Sequence, residues 1–211
     1  MRTDLYQLTK ILKFYIKPTS FIEVGSRHGE DCEYVSNYWN LDKQSTYIIE
    51  ANPYHYNDIV AKYQDKFTIL NVAAYNINGQ VSFNCIKDLD KEIEGASSIL
   101  KPLHIIGFEN EVVQVKQIRL DLLKPFELMK IDVEGYAYEV LVGLGEKIKE
   151  VKAIQLETES IACFEGQKVD EDVDKYMNAM GFELVDKQRC WTFQFDCLYI
   201  NKRLKRDILK K

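Results

Sequence analysis

FIEVGSRHGED, residues 21–31, decides the fold. The apolar run Phe21, Ile22 and Val24 is too short for a helix and is stopped by Gly25, while Gly29, Glu30 and Asp31 signal a helix start. The stretch therefore reads as strand, turn and helix, the unit with which α/β domains open a nucleotide site. Glycines let the backbone approach a ligand closely, and a helix N-terminus directs free amide groups toward it.

Spacing discriminates among ligands. A dinucleotide fingerprint needs G-x-G-x-x-G, but here Arg27 holds the middle position and Glu30 the last, with the second glycine at Gly29. The pyrophosphate of a nicotinamide cofactor would meet Glu30, which disfavours an oxidoreductase. The order E-x-G-x-R-x-G is closer to the loop that holds S-adenosylmethionine, which has no phosphate and whose sulfonium and ammonium groups Glu23 would face. A structural strand-turn-helix without a cofactor is the competing reading of this segment alone. Downstream, TYIIEANPYHY (46–56) reads as a second buried strand that ends in Glu50 and breaks at Asn52 and Pro53. An acid there, roughly 20 residues past the glycine loop, is where α/β nucleotide sites hold ribose hydroxyls.

The rest of the chain alternates strand and helix signals. FTILNVAAY and VSFNCI predict a third parallel strand and antiparallel additions, with a hairpin-like pair around Asn78 and Gly79. Residues 88–110 have no clear period and read as a long loop or lid over the site. Order returns with VVQVKQI (112–118), then a strand at Leu128, Met129 and Ile131 closed by Asp132 and Glu134, and a helix beginning near Tyr138. AIQLETES (153–160) is a fifth strand ending in Glu157 and Glu159. Residues 170–180 form a helix closed by Gly181, and FELVDKQ with QFDCLYINK forms a final antiparallel hairpin. Strand ends line the crevice of an open α/β sheet, so Glu23, Glu50, Asp132 and Glu157 are expected to converge.

Composition fits one domain. The chain has 211 residues, 46% hydrophobic and 29% charged, and a net charge of −5 gives no basic field for nucleic acid. Lys202, Arg203, Lys205, Arg206, Lys210 and Lys211 make a basic tail, read most simply as a solvated or frayed terminus, with contact to a partner or an anionic surface as the alternative. Five scattered cysteines without a C-x-x-C pair read as buried thiols in a reducing, cytoplasmic setting, and no apolar stretch is long enough for a membrane span. Leu5, Leu8, Ile11, Leu12 and Tyr15 have helical spacing, so residues 1–19 are expected to form a helix on a single domain of residues 20–211, packed beside the sheet or covering the site.

In order and spacing, EVGSRHG, IIEANP, NVAAYNINGQVSF, GASSIL, VKQIRLDLL, MKIDVEGYAYEVLVG and DCLYI resemble the FkbM-type methyltransferases, over residues 20–200. KIDVEG is the most specific block. The resemblance implies a Rossmann-like class I S-adenosylmethionine-dependent O-methyltransferase. Its mostly parallel seven-stranded sheet would have order 3-2-1-4-5-7-6, helices on both faces and only the last strand antiparallel. It also implies an acceptor hydroxyl on a sugar or glycan, or on another secondary metabolite, and a cofactor held by Glu23, Gly25, Ser26, Gly29, Glu50, Ala51, Ala73, Ala74 and Asp132. The chain departs from the family in three places: Glu23 stands for the usual Asp, Gly25-Ser26-Arg27 for Gly-Ala-Asn, and Ala137 where a glutamate often follows KIDVEG.

Methyl transfer from a sulfonium asks chiefly for an acceptor hydroxyl held in line and a base to take its proton. Asp132 is the first candidate for base or hydroxyl orienter, Glu134 the second, and His28 and His104 have ring nitrogens that titrate near neutrality. Asp132, Glu157 and Glu159 could supply an oxygen set for Mg²⁺, whereas no spacing supports zinc. Tyr136, Tyr138, Phe164, Trp191 and Phe193 are candidates to stack on a sugar or aromatic acceptor, although such residues are more often core. Two further readings stand beside sugar O-methylation. One is methylation of a small aromatic or polyketide-like molecule; the other is a non-catalytic module whose pocket Arg27 blocks.

Overall fold

In the computed structural model, which describes residues 5–87, 94–103 and 109–203, the chain opens with helix α1 (Leu5–Leu12) and then enters the sheet at β1 (Phe21–Val24). All four β1 residues are buried, as an apolar strand in the middle of a parallel sheet must be. Next come α2 (Glu30–Trp39), β2 (Thr46–Ile49), α3 (Pro53–Tyr63), β3 (Thr68–Leu70), β4 (Ala73–Ala74), β5 (Gly79–Lys87) and β6 (Glu109–Ile118). The chain continues through β7 (Leu128–Ile131), α4 (Ala137–Gly143), β8 (Ala153–Glu159), α5 (Asp170–Ala179), β9 (Phe182–Arg189) and β10 (Gln194–Asn201).

Seven strands form the main sheet in the order β3-β2-β1-β7-β8-β10-β9. Counted within that sheet alone, this is the expected order 3-2-1-4-5-7-6. Strands β1, β2, β3, β7 and β8 run parallel, and β10 lies antiparallel to both its neighbours. Apolar clusters cover both faces. Val140 and Leu141 of α4 and Val173 and Met177 of α5 pack on one face. On the other, Leu5 and Leu12 of α1 join Cys32, Val35 and Trp39 of α2 and Ile59 and Tyr63 of α3. Burying each such side chain contributes about 1.5–3 kcal/mol, so the two layers, more than any polar contact, hold the sheet flat against its helices.

The structure alters several expectations and decides between the two positions expected for α1. The hairpin around Asn78 and Gly79 does not form. Strand β5 pairs antiparallel with β6, and β4 pairs parallel with the other edge of β6, giving a separate three-stranded sheet. Local turn residues were outweighed by a nine-pair ladder between distant strands. Helix α1 packs on the α2 side, with Thr9 hydrogen-bonded to the Tyr34 hydroxyl at 2.8 Å, and none of its described side chains lines the cavity. Of the expected lid, residues 94–103 are strapped down. Ser98 forms a bridge with Asn84, and Pro102 one with Phe164. Residues 88–93 and 104–108, with candidate His104, lie outside the described residues, as does the tail beyond Arg203. None of the five cysteines is disulfide-bonded; Cys190, contrary to expectation, is exposed. Among the described residues no helix is long and apolar enough to cross a membrane.

Candidate active site

Strand order reverses between β1 and β7, and a crevice opens at such a point beyond the carboxyl ends of the strands. A cavity of about 260 Å³ lies there. Its walls include Gly25, Ser26 and Arg27 after β1, Glu50, Ala51, Asn52 and His55 after β2, and Asp132, Val133, Glu134 and Tyr136 after β7. Glu157 of β8, Gln194 of β10, and Gly95 and Ser97 of the strapped segment complete it.

The β1 loop is built from backbone. Gly25 has φ 79°, and a Cβ there would lie 1.9 Å from the Asp132 carbonyl oxygen, so only glycine lets the loop pass the end of β7. Glu50 then ties the loop to β2. Its carboxylate accepts from the backbone N–H groups of Ser26 (3.0 Å), Arg27 (2.9 Å) and Asn52 (2.7 Å). Burial pushes its pKa up, while these three bonds oppose the rise. A carboxylate has about four acceptor sites, so about one is left for a ligand in the cavity. Asn52 also caps α3, accepting from the Tyr54 N–H at 3.0 Å with Pro53 in the first turn. Asn71 donates to the carbonyls of Glu50 and Ala51 from behind.

Behind the wall lies a buried charge cluster. Lys130 of β7 pairs with Glu23 of β1 in register; its ammonium sits 2.5 Å from Asp31 of α2 and 3.0 Å from Asp132. Glu23 accepts the N–H of Cys32 at 2.9 Å, capping α2, whose N-cap Gly29 offers no side chain. Burial raises the Glu23 pKa to about 8, against the pull of Lys130. For Lys130 burial favours the neutral amine, but Asp132, Asp31 and Glu23 outweigh it and hold the ammonium charged. Asp132 is thus anchored at one oxygen while the residue forms part of the cavity wall.

The opposite wall carries the side-chain carboxylates Glu134 and Glu157, with Glu159 next to them outside the lining. Oxygens of Glu134, Glu157 and Glu159 all lie within 4.8 Å of one another. Burial, with Asp132 and Glu159 nearby, raises the Glu134 pKa to about 8. Burial and the same neighbours push Glu157 well up, and burial raises Glu159 to about 7. Gln194 donates to Glu157 at 2.6 Å and Gln167 to Glu159 at 2.5 Å. No hydrogen-bond donor among the described residues reaches the Glu134 carboxylate, although its backbone carbonyl accepts from the Ser98 hydroxyl at 2.6 Å. At neutral pH this cluster shares protons, since three carboxylates so close cannot all ionise.

Sequence-derived candidates therefore fall into two groups. Gly25, Ser26, Glu50, Ala51, Ala74, Asp132, Glu134, Glu157 and Tyr136 line the cavity. Glu23, Gly29, Ala73 and Glu159 lie outside its wall: Glu23 caps α2, and a Cβ at Gly29 would meet the Tyr63 ring at 2.7 Å. His28 is exposed, its ring 6.1 Å from that of His55, and it is His55 that lines the cavity. The acidic triad contains Glu134 where Asp132 was expected, because Lys130 draws Asp132 the other way. Tyr138 packs on Tyr176, Phe164 is buried, and Trp191 and Phe193 are exposed. Lys130, His55, Asn71 and Gln194 were missed. A lysine between Met129 and Ile131 in a strand buried on both faces was the available signal, since such a charge needs partners.

The sequence pattern of the FkbM methyltransferase domain matches residues 23–184. Among curated proteins no sequence match is found. A methyltransferase FkbM from Methylobacillus flagellatus KT superposes with a TM-score of 0.58 at 13% identity, covering 87% of this chain and 44% of that one, so the chain spans less than half the length of that protein. A ribosomal protein L11 methylase from Lactobacillus delbrueckii subsp. bulgaricus gives 0.53 at 7% identity, over 92% of this chain and 76% of the other. Fibrillarin from Aeropyrum pernix, in complex with natively bound S-adenosylmethionine, gives 0.51 at 9% identity, over 86% and 66%. Identities this low speak for the fold, and the match over residues 23–184 speaks for the family: the chain belongs to the FkbM methyltransferase domains.

Proposed function

We propose that the cavity binds S-adenosylmethionine and that the protein transfers its methyl group to a hydroxyl of a sugar or glycan. The observation that carries this reading is the pairing of two unlike walls: a backbone-built loop closed by Glu50, and facing it Glu134, a half-buried carboxylate whose pKa desolvation and neighbouring acids push up to about 8. When bound, the cofactor supplies an electrophilic methyl on a sulfonium. Ser26, Arg27, Glu50, Ala51 and Ala74 form its wall, with the spare acceptor site of Glu50 directed to ribose hydroxyls. Lys130 holds Asp132, which orients the acceptor hydroxyl, and Glu134 takes the proton. A base with a pKa near the working pH is the effective kind. Arg27 lies with its guanidinium against Gly95, 3.2 Å from where a Cβ would stand, and leaves the cavity open, which favours an enzyme over a non-catalytic module.

The test is transfer of a radiolabelled methyl group to methyl glycosides of common hexoses, with catechol as the aromatic competitor. Labelled glycoside supports the reading; labelled catechol alone replaces it with the small-aromatic alternative. The carboxylates of Glu134, Glu157 and Glu159 are also the donor set a magnesium ion would take, and such an ion would acidify a vicinal diol. Transfer abolished by EDTA would assign the wall to that ion instead of to a base.

A further inference from the structure

We infer that the β9–β10 turn, with the segment after β8, forms a second sugar subsite where Trp191 and Phe193 stack on the unit next to the one methylated. The inference rests on the reading of the acceptor as a glycan. Exposed large hydrophobics scattered singly over a surface need no explanation, whereas a contiguous group at the mouth of a site does. Four of those among the described residues, Leu103 (44% exposed), Ile161 (43%), Trp191 (73%) and Phe193 (45%), lie in three short segments at the carboxyl rim of the main sheet.

Backbone hydrogen bonds tie these segments together. Ser160 N–H donates to the Phe193 carbonyl at 2.8 Å, Leu103 N–H to that of Cys163 at 2.9 Å, and Trp191 N–H to that of Gln194 at 3.3 Å. The rim runs directly into the cavity through Gln194, which follows Phe193, lines the cavity wall and donates to Glu157. Polar groups inside and flat rings outside suit a saccharide chain. A sugar offers hydroxyls to carboxylates and amides, and its weakly positive C–H face meets the negative face of an aromatic ring. An apolar metabolite would leave the Glu134 carboxylate facing nothing it could bond. The turn is also stiff where it needs to be: the Cys190 N–H donates to the Gln194 carbonyl at 3.1 Å, and the following Phe195 ring is covered by Lys187 and Arg189.

The chain has two tryptophans, and Trp39 is buried against Tyr38. In a Trp39→Phe variant the emission therefore reports Trp191 alone. Maltohexaose, cellohexaose and chitohexaose are titrated in turn, each beside the methyl glycoside of its unit, and methyl transfer is measured on the same panel. The expected result is that one hexasaccharide shifts the emission to the blue and shields it from iodide, while its methyl glycoside does neither. Trp191→Ala then raises KM for that hexasaccharide about tenfold with kcat and S-adenosylmethionine affinity retained. Equal transfer to hexasaccharide and glycoside with an unmoved emission overturns the subsite and leaves sugar methylation standing. A moved emission without transfer to any sugar keeps the subsite and overturns the methylation reading. Neither transfer nor shift overturns both.

Discussion

Both walls of the cavity carry carboxylates, buried at Glu50 and half-buried at Glu134 and Glu157, and they treat them in opposite ways. On the glycine-loop side Glu50 accepts three backbone N–H groups from two loops, so its geometry is set before any ligand arrives. On the side of β7 and β8, Glu134 accepts from no described donor, and with Glu157 and Glu159 it forms a cluster whose protons come off late. A carboxylate held by three amides serves as a rigid fixture; one that is half-buried, crowded by other acids and without a described donor is poised to exchange a proton. On the proposed function, binding and chemistry are separated by how the same functional group is surrounded.

The most severe way to break this contrast is Glu50→Ala. Three buried N–H groups lose their acceptor, which costs on the order of 3 kcal/mol and lowers the melting temperature by roughly 6–12 °C. Calorimetry should show S-adenosylmethionine affinity reduced by at least about 30-fold. A variant that binds as the native protein does would remove Glu50 from the binding wall. Next in size, Asp132→Asn should leave cofactor affinity nearly unchanged while slowing transfer about 100-fold. Equal losses of affinity in the two variants would erase the division between the walls.

The smallest of the three effects is the sharpest in sign. The Glu134 pKa rises from an ordinary 4.5 to about 8 on folding, so between these values the native state holds a proton that the unfolded chain has released. Stability therefore falls as pH climbs through that window and levels off above about 8. Glu134→Gln should remove its share of the fall, melting roughly 2–8 °C higher than the native protein at pH 9 and nearly level with it at pH 4.5. The same substitution should flatten a transfer rate that otherwise rises up to about pH 8. Identical melting profiles for the two proteins would show that Glu134 ionises freely.

Main-sheet architecture was legible because three of its five parallel strands are short, mostly apolar runs stopped by Gly, Pro or an acid: FIEV by Gly25, YII by Glu50 and Pro53, LMKI by Asp132. Glu50 was legible for the same reason, as the acid terminating the second strand. The small sheet was not, since pairing β5 with β6 joins Gly79 to Gln117 across a segment without period. Nor was the direction of the acids. Glu23 and Asp132 both close or precede strand ends, yet Lys130, whose partners depend on the register of β1 against β7, draws one to the interior and anchors the other at the cavity. The Glu134 cluster was missed in favour of Asp132 because it depends on the backbone after β7 turning at Gly135, φ 82°, toward β8.

The most direct measurement is calorimetric titration of the protein with S-adenosylmethionine and S-adenosylhomocysteine, with NADH as control and with EDTA present or absent. The two-wall account predicts micromolar binding of both sulfur ligands, unchanged by EDTA, and none of NADH. Absence of binding by S-adenosylmethionine and S-adenosylhomocysteine, or binding of NADH in their place, would contradict it.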